Sequence, residues 1–198
     1  MKLIIQYNKS KDVECWKRLV NSKDMFGHIF PNKVVLLNKR VILAKNKIDD
    51  FQLIWDSYSK FDEGIKKIYK HNPPKFLPCY INTTGFSMDN YPHYISISAA
   101  CNTEKRIITM LVHELSHFIF RKYFANFCYS IGCSKDDIEE IKEIITVVNN
   151  DVFDKIEDKG YEVHAFYREK IRKAWKDGLD IEQIIILIQK LFKTSKAF

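Results

Sequence analysis

Cysteine is scarce in this chain and unpaired in pattern: there are five (Cys15, Cys79, Cys101, Cys128 and Cys133), an odd number with no Cys-x-x-Cys pair. A disulfide framework is therefore not expected, and reduced thiols in a cytoplasmic protein are. Only 6 Gly and 5 Pro occur among 198 residues, which leaves little room for flexible linkers or low-complexity segments. No apolar run approaches the roughly 18 residues that span a bilayer. The opening "MKLIIQYNKS" has too short an apolar stretch for a secretory leader and lacks a small-residue cleavage site, so no membrane partner is expected. The formal charge is +7, yet no block of five or six like charges appears. Dispersed lysines of this kind do not predict a specific nucleic-acid partner.

What remains is an ordered globular composition, 46% hydrophobic and 14% aromatic. One α+β domain over 1–198 is expected, with a sheet-containing part at 1–101 and a helical part at 102–198. "KLIIQY" at 2–7 reads as a strand and "KDVECWKRLVNS" as a helix behind it. "KVVLLNKRVILA" at 33–44 reads as a hairpin. From 49 to 69, apolar residues at helical spacing (Phe51, Ile54, Trp55, Tyr58, Phe61, Ile65, Ile68) predict one helix, stopped by the paired prolines that follow. "FLPCYINTT" then reads as a strand, "FSMDNYPH" as a turn, and "YISISAA" as a half-exposed strand suited to a sheet edge.

Asn102 or Thr103 can cap a breaker-free helix through "EKRIITMLVHELSHFIFRKYF", and Ser134 can cap another through "DDIEEIKEIITVVNNDVF". After Gly160 come a basic amphipathic helix and a last helix capped by Asp180.

The chemistry sits in "LVHELSHFIF", 111–120, where three polar groups stand in an apolar run. Buried without partners, each would cost about 1–3 kcal/mol. His113 and His117 are four residues apart, so on a helix their rings lie about 40° apart on one face and can converge on one ion. Two imidazoles suit Zn²⁺, and Glu114 is placed to act as general base on water. The competing reading is a pair of core histidines satisfied by hydrogen bonds.

A third ligand is needed. A metzincin continuation is excluded, because Phe120 and Tyr123 stand where it requires Gly and His. An acidic helix follows, and Glu143, flanked by Ile141, Ile144 and Ile145, is the choice over Glu139 and Glu140, which fall in the first turns where acids favour the helix dipole. The bland reading of Glu143 is an ion pair with Lys142 or Lys135. Glu143, Thr146 and Asn150 share a polar stripe able to orient a ligand. Cys128 and Cys133 could ligate zinc, but a thiolate site would leave Glu114 unexplained.

An HExxH followed by a glutamate on the next main helix resembles the gluzincin branch of zinc metallopeptidases, over about residues 94–150. The resemblance implies a zincin-like fold, Zn²⁺ held by His113, His117 and Glu143, Glu114 as base, a peptide or protein substrate, and a strand edge that holds the substrate backbone, matching "YISISAA". The chain departs from the best-known members in lacking an Asn-Glu dipeptide, and it has Val147 where they carry an acid four residues after the ligand. An electrophile for the oxyanion is sought in "GYEVHAFYRE": His164 or Tyr161, with Tyr167 and Arg168 behind them. His28, His71 and His93 have no partner pattern and read as structural or surface residues. The alternative to an enzyme is a metallopeptidase-like regulatory or binding domain, in which zinc is structural or the cleft holds a partner segment. Small intracellular domains of the ImmA type lie between the two.

Overall fold

The computed structural model describes residues 1–21 and 38–195. In chain order the elements are β1 (Lys2–Gln6), α1 (Lys9–Asn21), α2 (Asn38–Asn46), α3 (Ile48–Ser57), α4 (Phe61–Tyr69), β2 (Phe76–Asn82), β3 (Met88–Asn90) and β4 (Tyr94–Ser98). Then come α5 (Glu104–Ser130), α6 (Lys135–Ile145), a 3-10 turn (Thr146–Val148), α7 (Asn149–Val152), a second 3-10 turn (Glu162–His164), α8 (Ala165–Lys176) and α9 (Ile181–Ser195). The class is α+β, with a small mixed sheet and mostly helix. Two compact units share the chain: Met1–Tyr58 with Pro74–Glu114, and Ser59–Pro73 with Leu115–Phe198.

The first unit is built on the sheet, in the order β1-β2-β4-β3. β1 and β4 both run parallel to β2, whereas β3 is antiparallel to β4. The register sets Cys79 between Ile5 and Ile95, all three buried. "YISIS" is thus an inner strand, buried at every position, and not the half-exposed edge that its serines suggest. Ser96 and Ser98 are tolerated there because both hydroxyls are bonded. Ser96 Oγ accepts from Cys15 Sγ at 3.4 Å, and Ser98 Oγ accepts from the Ala100 N–H at 3.1 Å. The edge is instead Met88–Asn90, inside the stretch expected to be a turn. At the opposite border, the Gln52 amide of α3 takes the place of a neighbouring strand. Its Oε1 accepts from the Ile5 N–H at 2.9 Å and its Nε2 donates to the Leu3 carbonyl at 3.1 Å.

Two further expectations are corrected here. Of the hairpin at 33–44, residues 33–37 lie outside the described residues, as does His28, and from Asn38 the chain is helical. A short apolar run such as "VILA" does not by itself distinguish strand from helix. The single helix expected at 49–69 is two, α3 and α4, broken at Tyr58, whose backbone (φ −92°, ψ 77°) leaves the helical region. The Ser57 hydroxyl donates to the Ile54 carbonyl at 2.8 Å and satisfies an acceptor at that end.

The second unit is helical. Phe61 of α4 stacks on Phe153, and Gly64 makes room for that ring: a Cβ there would lie 2.0 Å from Phe153 Cε1. Helix α9 contributes Ile181, Ile184, Ile185 and Ile188, each at most 2% exposed. The turn into α6 is specified locally. Gly132 adopts φ +86°, a left-handed conformation that favours glycine, and Ser134 and Asp137 form a reciprocal capping box. Asp180 and Gln183 do the same for α9.

Candidate metal centre

Helix α5 runs 27 residues, and 111–120 are buried throughout. A leading Thr103 side chain accepts from the Arg106 N–H at 3.2 Å, and the Lys47 ammonium donates to the carbonyls of Ala99 and Cys101 at 2.8 and 2.6 Å. Those contacts fix the start of the helix and hence the phase of everything on it. His113 is 8% exposed, Glu114 5% and His117 2%, so burial of all three polar groups is a fact of the structure.

On α6 the three acids considered as third ligand have separate partners. Glu143 Oε2 lies 3.4 Å from His117 Nε2. Glu139 Oε2 takes the Arg121 guanidinium at 2.7 Å, one helical turn further along α5. Glu140, 56% exposed in its side chain, faces His164 Nε2 at 3.6 Å. His117 and Glu143 thus converge within the helical unit, and His113 stands one turn earlier on the same helix as His117. The pair expected as the bland alternative is also present: Lys142 Nζ lies 3.6 Å from Glu143 Oε1, the oxygen that does not face His117.

One separation in the donor set matches a tetrahedral ion. Ligand atoms at about 2.0–2.2 Å from zinc, separated by a tetrahedral angle, stand about 3.4 Å apart. The His117–Glu143 separation has this value, and it exceeds the roughly 2.9–3.0 Å of a well-formed N–H···O bond. Two imidazoles and one carboxylate are also a ligand combination that zinc takes in catalytic sites.

A second pair of donors stands in the sheet-based unit: Asp89 and Glu114, both buried, bring carboxylate oxygens within 4.8 Å of one another. Asp89 comes from β3, the strand read as a turn, so sequence periodicity gave no reason to place an acid there. The negative charge of Glu114 is felt by its neighbours: the Cys79 thiol is pushed up, by burial first and then by that carboxylate. All five thiols are free and buried.

Support beneath Glu143 comes from Arg168, which is 4% exposed. Its Nη1 donates to the Glu143 carbonyl and to Thr146 Oγ1, both at 2.8 Å, and its Nη2 to the Asp158 carbonyl at 2.8 Å. Burial lowers its pKa while Asp158 and then Glu143 hold the charge in place. Gly160 permits the approach, since a Cβ there would lie 2.5 Å from Arg168 Cζ. Thr146 Oγ1 donates back to the Glu143 carbonyl at 2.9 Å, and Asn150 exchanges two 2.8 Å bonds with Asp158. Thr146 therefore braces the backbone under the Glu143 carboxylate, and Asn150 fixes the Asp158 backbone that Arg168 holds.

His164 is buried but belongs to neither converging donor group. Its Nδ1 has no hydrogen-bond partner, and Tyr161, 45% exposed, lies edge-on to its ring at 5.9 Å. Cys128 and Cys133 interact with each other, the Cys128 thiol being pushed up to about 12 by burial and then by its neighbour; neither belongs to a donor group. Sequence reasoning passed over Asp89 and Arg121, and named Lys142 only as the alternative ion-pair partner of Glu143. For Arg121 a signal existed: it stands four residues after His117, as Glu139 stands four before Glu143.

Comparison with protein-family models, curated proteins and solved structures finds no match to this chain.

Proposed function

We propose that the chain is a zinc-dependent metallohydrolase of gluzincin type, with a zincin-like arrangement, acting as a peptidase on peptide or protein substrates in the cytoplasm. The observation that carries this reading is the approach of Glu143 Oε2 to His117 Nε2 at 3.4 Å, with His113 one turn earlier on the same helix. His113, His117 and Glu143 would hold the ion. Bound Zn²⁺ would supply a Lewis acid that polarises the scissile carbonyl and acidifies water. Glu114 would accept a proton from the attacking water on its carboxylate and pass it to the leaving amine nitrogen. His164, a buried imidazole with its Nε2 3.6 Å from Glu140 Oε2, is the proposed oxyanion donor.

Metal analysis of the purified protein should find about one zinc per chain. His113→Ala and His117→Ala should lose it, and full zinc content in either variant sinks the assignment. Glu114→Gln should keep the metal while abolishing cleavage of a mixed peptide library.

A second reading is favoured by the depth of the donors, His117 being only 2% exposed. In it the zinc is structural and the domain binds a partner segment without cutting it. One zinc per chain with no cleavage of any library peptide would select this reading.

A further inference from the structure

Lys142 is 7% exposed, and a buried ammonium is tolerated only when paired. Its Nζ lies 3.3 Å from Glu139 Oε2 and 3.6 Å from Glu143 Oε1. Glu139 is itself held by Arg121 at 2.7 Å. The result is a ladder between α5 and α6 with two rungs, His117–Glu143 and Arg121–Glu139, each four residues from the next on its own helix, and Lys142 ties the two acids together. The two oxygens of Glu143 are thereby given different duties: Oε1 faces the ammonium and Oε2 faces the imidazole.

We propose that Lys142 is a positioning residue for the metal-ligating carboxylate, pinning Glu143 Oε1 so that Oε2 alone is presented to the ion. The proposal rests on the metallohydrolase reading. Charge alone argues the opposite way, because an ammonium this near a divalent cation opposes its binding. If position is what Lys142 supplies, removing it weakens the metal despite removing that repulsion. Groups that orient a ligand from outside the coordination shell typically cost ten- to a hundredfold in affinity when lost. Glu139 acts through Lys142 and should show the same effect in smaller measure.

The test is zinc affinity by competition with a chromogenic chelator, together with the visible absorption of the Co²⁺-substituted protein. Lys142→Met should lower affinity about tenfold or more and weaken the Co²⁺ bands, as the freed carboxylate turns both oxygens to the ion and raises its coordination number. Glu139→Gln, at a part-exposed surface position, should shift both readouts in the same direction by less, and it serves if Lys142→Met does not fold. Affinity that rises in Lys142→Met assigns the residue a purely electrostatic effect and overturns the proposal. So does unchanged affinity with an unchanged Co²⁺ spectrum, provided His117→Ala has lost zinc; in that case the metal reading stands and the inference alone falls. A wild-type protein that binds no zinc removes both.

Discussion

Each unit buries a charged side chain, and the two satisfy it by different means. In the first unit Asp12, 1% exposed, is served by neutral donors: the Thr83 N–H at 2.9 Å, the Thr83 hydroxyl at 3.0 Å to each oxygen, and the Tyr7 hydroxyl at 3.1 Å. The Trp16 indole, donating to Thr83 Oγ1 at 2.9 Å, extends the same network. In the second unit Arg168 is set against another charge, Asp158, at 3.3 Å, and the Arg121–Glu139–Lys142–Glu143 ladder is charged at every step. Neutral donors left behind when a charge is removed are a modest liability. Charged partners are a larger one, since deleting either ion leaves the other buried alone.

The sharpest way to break this contrast is Arg168→Met. It strands Asp158, 5% exposed, and should destabilise the protein by about 3–5 kcal/mol in denaturant melts. Arg168→Lys should recover only part of this, because one ammonium cannot reproduce the fork that reaches Glu143, Thr146 and Asp158. A cost under about 1 kcal/mol for Arg168→Met would dissolve the distinction between the units.

Asp12→Ala is the matching change in the first unit. It orphans neutral donors only, so the expected loss is about 1–3 kcal/mol by the same measurement. If Asp12→Ala costs more than Arg168→Met, the ordering argued here is reversed.

Smaller again is Arg121→Ala. Its bond to Glu139 is partly exposed, with side-chain exposures of 23% and 37%, and should contribute about 0.2–1 kcal/mol. That contribution should shrink as salt is raised from low concentration toward 1 M, while the cost of Asp12→Ala should stay nearly constant.

The last comparison is one of pH. Tyr7 is pushed from its ordinary value of 10.0 up to about 12, by burial first and then by the adjacent Asp12 carboxylate. The folded state thus holds the proton more tightly than the unfolded one. Stability from this group is complete below pH 10 and is lost as pH rises toward 12. Comparing the stability of wild type and Tyr7→Phe across that window should show a gap that narrows with rising pH, and a constant gap would count against the linkage.

Much of the architecture was legible because its signals are local. The Ser134 and Asp180 caps and the strand-helix start each depend on a few adjacent residues, and the structure has them. The failures share the opposite property. In 49–69 the apolar spacing continues in phase through Tyr58, so the break between α3 and α4 leaves no trace in the pattern. "YISIS" alternates as an exposed edge would, yet its serines are buried by partners from elsewhere in the chain, Cys15 among them. At the candidate metal site, the imidazole pair was legible from the spacing of His113 and His117. The ladder of Arg121, Glu139 and Lys142 was not, because it depends on which faces of two helices meet, and Asp89 was hidden in a stretch that looks like a turn.

The Gln52 amide at the border of β1 has a further consequence. It engages the Ile5 N–H and the Leu3 carbonyl, the groups that an incoming chain would pair with there. A single side chain thus withdraws that border from self-association, at no cost in chain length and without a charge. Among the described residues, the far edge is guarded in a similar way: the Arg18 guanidinium of α1 donates to the Asp89 carbonyl of β3 at 2.9 Å.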